Sequence, residues 1–187
     1  MKAIIFDMDG VLVDTMPFHY KATRTAVKEF TNISLDKRTF YLLEGMPITE
    51  IALKILDLKW YGGPTKKERL CEIAEEISNK KKEIFARMNL TPQSFNGVRE
   101  LILDNLRDCS KAVVTGSSKQ EAQAVIENNF GKDKFKVIIN GDDFEGKGKS
   151  DPSPYLAAIR KLNVVTSDAL IIENAPLGGF KQLIMLE

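Results

Sequence analysis

Apolar residues along this chain change their spacing twice. Ala3, Ile4, Ile5 and Phe6 form a continuous run that stops at Asp7-Met8-Asp9-Gly10, which predicts a strand covered on both faces and a turn after it. Beyond the turn Phe18, Ala22, Ala26, Val27 and Phe30 recur three and four residues apart, the period of a helix, with Pro17 at a position where helices begin. Ile48, Ile51, Ala52, Ile55 and Leu56 predict a second helix, and Leu70, Ile73, Ala74, Ile77, Ile84, Phe85 and Met88 a third. Gly45-Met46-Pro47 and Gly62-Gly63-Pro64 punctuate the stretch. Residues 16–90 are therefore expected to be helical, with no strand among them.

After Thr91-Pro92 the pattern alternates. A helix is predicted over 98–106, an apolar strand over 111–115, a helix over 119–129 and a strand over 137–140. A glycine-rich loop then leads to a helix over 154–162 and a last strand over 169–173. Strands that alternate with helices, each nearly continuous in apolar residues, form a parallel sheet with helices on both faces. The expected architecture is α/β: a doubly wound, Rossmann-like core from residues 1–15 and 91–187, with an all-helical insertion at 16–90.

Composition narrows the partners. Lys plus Arg (27) nearly balance Asp plus Glu (26), so no net field draws the chain to nucleic acid or to a membrane surface. A small molecule is the expected partner. Two cysteines with no Cys-x-x-Cys spacing, and too few histidines to complete a zinc site, suit a reducing cytoplasm, the expected location. Acid interrupts the first apolar run far short of a signal-peptide core.

In open parallel sheets ligands bind at the carboxyl ends of the strands. The predicted strands end at Asp7 and Asp9, at Thr115 followed by Gly116 and Ser117, at the 141–149 loop with its lysines, and at Glu173 and Asn174. All of these are groups that handle phosphate or a hard cation, and two carboxylates one residue apart can supply a Mg²⁺ ligand and a nucleophile together. Asp-x-Asp-Gly also opens calcium loops, but those need further oxygen ligands on the same loop and a helix in front. Thr115 and its neighbours could equally cap the following helix, a routine use of Ser and Thr.

The chain resembles the haloacid dehalogenase superfamily of phosphotransferases, within it the β-phosphoglucomutases and phosphoglycolate-type phosphatases. The resemblance rests on Phe-Asp-Met-Asp-Gly-Val-Leu-Val-Asp-Thr at 6–15, Val-Val-Thr-Gly-Ser-Ser at 113–118, Gly-Lys-Ser-Asp-Pro at 148–152 and Ile-Ile-Glu-Asn-Ala-Pro-Leu-Gly at 171–178. It implies that Asp7 is the nucleophile and forms an aspartyl-phosphate, and that Asp9 is the general acid and base. Thr115, with Gly116 and Ser117, would hold phosphoryl oxygens, and Lys149 would neutralise their charge, with Lys147 a competitor two residues earlier. Mg²⁺ would be held by Asp7, the Asp9 carbonyl, Glu173 and Asn174. Many relatives carry aspartate where Asn174 stands, which implies weaker Mg²⁺ binding here.

The insertion resembles the family's mobile cap. His19, Glu44 and Lys80, the last opening a run of three lysines, are its candidate substrate contacts. Ile48 stands where β-phosphoglucomutases carry an arginine, which counts against that sugar specificity. The implied activity is a Mg²⁺-dependent phosphatase acting on a small phosphorylated metabolite, with a phosphomutase, an inorganic pyrophosphatase and a catalytically silent relative as alternatives. A monomer is expected for the family. The tail at 179–187 departs from its pattern. One permitted choice of codons, read in the neighbouring frame, spells Val-Gln-Ala-Ala-Asn-Asn-Ala-Gly, the implied continuation. The tail is accordingly read as the product of a single-base insertion. The sheet would then lack its last strand or strands, and its exposed edge would promote self-association.

Overall fold

The computed structural model describes residues 1–59, 67–88, 90–143 and 151–175. At its centre is β1 (Ala3–Asp7), buried at every position. It pairs with β2 (Ser110–Val114) on one side and β4 (Ala169–Ile172) on the other, and β3 (Val137–Ile139) lies beyond β2. All pairings are parallel, so a helix joins successive strands. α6 (Lys119–Phe130) connects β2 to β3, and α7 (Ser153–Leu162) connects β3 to β4.

Successive side chains of β1 face opposite ways, which gives the sheet two covered faces. Ile4 and Phe6 pack with Ala122, Ile126, Phe130 and Phe135, while Ile5 packs with Tyr155, Ala158 and Ile159. The predicted doubly wound α/β core is thus the one observed. Register aligns the strand ends. Asp7 is level with Val114, and Phe6 is level with Ile172, so Thr115 and Glu173 emerge on the same edge as Asp7. Among the described residues β4 is an outer strand, and Leu170 on it is 45% exposed. The tail at 179–187, on which the expectation of a missing strand rests, lies outside the described residues.

Among the described residues of 16–90 there is no strand. α1 (Met16–Phe30), α2 (Lys37–Leu42), α3 (Ile48–Lys59) and α4 (Lys67–Arg87) enclose their own apolar cluster. It includes Val27, Ile55, Leu56 and Ile77, all fully buried, where truncation to alanine costs about 2–5 kcal/mol for a residue such as Leu56. The buried stripe of α1 is Met16, Ala22, Thr23, Ala26 and Val27. Phe18 and Phe30, expected on that stripe, are 37% and 36% exposed, because they lie at its margins. α2 is an element that apolar spacing alone does not single out. It buries only Phe40, and its start is set by Asp36, which accepts hydrogen bonds from Thr39 N and Oγ1, both 2.8 Å.

The helix predicted over 98–106 differs in kind. It begins as α5 (Val98–Glu100) and widens to a π-helix over Leu101–Asn105, where Leu106 N donates to Leu101 O. The two segments linking core and helical unit run side by side. Val13 bridges Ser94 in antiparallel fashion, with Asp14 N donating to Gln93 O and Phe95 N to Leu12 O. Asn129 of α6 pins the second segment, accepting from Ser94 N (2.8 Å) and donating to Pro92 O (2.9 Å). No helix among the described residues is long and apolar enough to cross a membrane.

Candidate active site

β1 delivers Asp7 to the sheet edge at 1% exposure, and Met8 N donates to its Oδ1. The chain then turns sharply. Gly10 has φ +83°, a region that favours glycine, and a Cβ there would stand 2.3 Å from the Asn174 carboxamide. Gly10 N donates to Val13 O and both Leu12 N and Val13 N donate to Met8 O, closing a tight loop. That loop turns the Asp9 carboxylate toward the end of β2. Its Oδ2 accepts from Thr115 Oγ1 at 3.1 Å and Ser117 Oγ at 3.4 Å, and its Oδ1 accepts from Thr15 Oγ1 at 2.6 Å.

Thr115 is fully buried and also accepts from Ser117 N at 3.1 Å. The helix cap proper is Ser118, which forms a capping box with Glu121. Thr115 is therefore not the cap of α6. Among the described residues the Gly116 N–H makes no hydrogen bond, so it is open to a ligand oxygen. Gly141 seats this loop from below. Its N–H donates to Ser117 O at 2.7 Å, and a Cβ there would meet Gly116 O at 2.4 Å, so only glycine permits the approach. Asp142 takes the Lys119 N–H at the start of α6.

The helical unit contributes from above. His19 on α1 places Nε2 3.6 Å from Asp9 Oδ1, and the two side chains are only 19% and 15% exposed. Its ring stacks on Phe85 of α4 with centroids 4.2 Å apart, and Nδ1 lies 3.1 Å from Lys81 Nζ. An ammonium only donates, so beside Lys81 in that form Nδ1 accepts and the ring proton of neutral His19 sits on Nε2, facing Asp9. Burial holds the Lys81 ammonium below the ordinary lysine range, opposed by the attraction of Asp9 and Glu121. Lys80, the lysine expected to reach substrate, instead pairs with Glu29 at 2.8 Å and Glu83 at 3.6 Å. One residue is about 100° of helix, which is why the neighbouring lysine meets the site. Glu44 follows α2, half-buried, within electrostatic reach of Tyr41, whose hydroxyl is raised first by burial and then by Glu44 and Asp14.

At the end of β4, Glu173 is held at both oxygens. Tyr155 donates its hydroxyl to Oε2, and Ala175 N donates to Oε1 at 3.0 Å. Asn174 lies against Gly10, so the acid pair and the β4 end do meet. Lys147 and Lys149 fall outside the described residues.

The family model of haloacid dehalogenase-like hydrolases matches residues 1–177. The chain belongs to that family. A phosphorylated carbohydrates phosphatase of Thermotoga maritima is 30% identical over 185 residues, which span 95% of this chain and 78% of the relative. The β-phosphoglucomutase of Bacillus subtilis is 29% identical over 179 residues, spanning 95% and 77%. A solved structure of a hydrolase from Pseudomonas syringae superposes with a TM-score of 0.78 at 22% identity, covering 99% of this chain and 81% of that one, a likeness of fold.

Among the described residues no three His, Cys, Asp or Glu side chains cluster as a metal site. The donors that the resemblance implies are one buried carboxylate (Asp7), a backbone carbonyl (Asp9), a carboxamide (Asn174) and a tethered carboxylate (Glu173). All offer oxygen, and they fit a small hard cation such as Mg²⁺, which commonly keeps several waters. Residues that sequence reasoning gave no role in the site are Thr15, Phe85 and Tyr155, and Lys81 entered only as part of the lysine run opened by Lys80. Lys81 had a usable signal: with Ile73, Ile77 and Phe85 it repeats every four residues, on the buried face of α4.

Proposed function

We propose that the chain is a Mg²⁺-dependent phosphatase that hydrolyses a small phosphorylated metabolite through an aspartyl-phosphate on Asp7. The observation that supports this most is the setting of Asp9: two residues beyond buried Asp7, its carboxylate meets Thr115 and Ser117 of the core and His19 of the helical unit. One carboxylate would attack, and the other would move protons.

In the first step an Asp7 oxygen attacks phosphorus, the bond from phosphorus to the substrate oxygen breaks, and Asp9 gives that oxygen its proton. In the second step water attacks the same phosphorus, Asp9 takes the water's proton, and the bond to Asp7 breaks to release inorganic phosphate. Thr115 Oγ1 and the Gly116 N–H would turn to the phosphoryl oxygens, preset donors of the kind that dominate such catalysis. To serve as an acid Asp9 must exchange its hydrogen bond from Thr15 for one to substrate. His19, braced by Phe85 and Lys81, borders Asp9 on the side of the helical unit and keeps bulk water from that face. Mg²⁺ held by Asp7, the Asp9 carbonyl, Asn174 and Glu173 would offset the negative charge of the phosphoryl group, a task shared with Lys149.

A phosphomutase is the second reading, favoured by the Bacillus subtilis relative. It would use the same residues and pass the phosphoryl group to a sugar hydroxyl. A screen of sugar phosphates, phosphoglycolate and pyrophosphate, with Mg²⁺ and with chelator, separates the readings by phosphate release against isomer formation. Asp7→Asn is expected to abolish either reaction while leaving the fold intact. Turnover that survives that substitution removes the nucleophile and the proposal with it.

A further inference from the structure

Tyr155 is a buried polar group that the reaction described above does not use. It is 0% exposed, packed among Ile5, Val114, Ile139 and Ile159 on one face of the sheet, yet its hydroxyl extends to the carboxyl edge and donates to Glu173 Oε2. Ala175 N donates to the other oxygen. A carboxylate gripped at both oxygens, one grip coming from the rigid core, has its plane and its remaining lone pairs fixed. Glu173 is also the one carboxylate of its pair, because Asn174 is neutral.

Resting on the proposed cation site, we propose that Tyr155 is a positioning residue: its hydroxyl sets the direction in which Glu173 presents oxygen to the divalent cation, and the affinity for that cation depends on this hydrogen bond. α7 would thus link the packing of the sheet face to cation binding at its edge. Asn174 sharpens the dependence, since no second acid beside Glu173 can make up for a misdirected one.

The test is cation binding measured directly, by Mn²⁺ electron paramagnetic resonance and by Mg²⁺ calorimetry, on the full chain. Tyr155→Phe is expected to weaken binding by about tenfold, within the range typical of lost outer hydrogen bonds to metal ligands. It should raise the Mg²⁺ concentration for half-maximal phosphate release in parallel, with kcat at saturating Mg²⁺ kept within about twofold. Ile159→Val, a packing change on the same helix face, should lower the melting temperature and leave cation affinity unchanged. Glu173→Gln and Tyr155→Phe combined should weaken binding no more than the stronger single change, as expected of residues acting through one bond. If Tyr155→Phe binds Mn²⁺ and Mg²⁺ as the wild type does, or if Ile159→Val weakens binding equally, the inference fails alone. A wild type that releases phosphate in chelator and binds neither ion overturns the cation site itself, and this inference with it.

Discussion

Replacing Thr115 by valine isolates one hydroxyl. The side chain is fully buried, and valine keeps its shape and suits the extended backbone that leaves β2, so no cavity opens. Two interactions are lost: donation to Asp9 Oδ2 at 3.1 Å and acceptance from Ser117 N at 3.1 Å. A hydrogen bond to a charged group is worth about 1.5–3 kcal/mol and an orphaned N–H costs about 1–3 kcal/mol. Asp9, however, keeps Thr15 at 2.6 Å, which limits the loss. Net destabilisation of about 1–3 kcal/mol is expected, a fall of roughly 2–12 °C in melting temperature for a chain of this size. The catalytic loss should be larger, about 10²–10³-fold in kcat, because the hydroxyl is a preset donor to the transferring group. Thr115→Ser should recover most of both. Steady-state phosphate release beside urea unfolding gives the two numbers from one preparation. Thr115→Val with the stability loss and an unchanged kcat would refute the assignment and make the residue a plain core hydrogen bond.

Two further outcomes follow from the same geometry. Gly141→Ala should push the Gly116–Ser117 peptide out of place, since its Cβ would meet Gly116 O at 2.4 Å; activity and melting temperature should both fall, and a variant equal to wild type would mean that the 141 loop gives way freely. Lys81 has its proton affinity lowered by burial, so between that lowered value and the ordinary 10.5 the unfolded chain holds a proton the folded chain has shed. Stability relative to Lys81→Met should therefore rise with pH through that alkaline window and be flat below it; urea unfolding across pH showing a constant or falling difference would contradict the burial of the ammonium.

What could be read in advance depended on how local the signal was. β1 and the Asp7 and Asp9 pair stand together in ten residues, and a buried strand that ends in acid has few other uses. The alternation after residue 91 was equally plain, because parallel strands buried on both faces need unbroken apolar runs. α2 escaped because six residues with one buried side chain leave no period to read, although Asp36 and Thr39 mark its start. Lys81 and Tyr155 were obscured by their neighbours. Three consecutive lysines name no preferred one without the phase of the helix, and a tyrosine on an apolar stripe looks like filler until its hydroxyl is seen to meet Glu173. Thr15 closes the 6–15 motif, yet its contact could not be read from it, since that depends on the loop that folds Asp9 back over six residues.

The paired linkers have a mechanical consequence. Because both crossings between the two units lie at one place, Val13 beside Ser94 with Asn129 clamping the latter, any relative swing pivots there. His19 lies four residues, about 6 Å, along α1 from Thr15, itself two residues past Val13, whereas the 21 residues of α4 extend about 30 Å, so the inner ring would be displaced far less than the outer end of α4. Any such opening would therefore carry the outer end of α4 much farther than the imidazole, like a door whose latch is mounted beside the hinge pin.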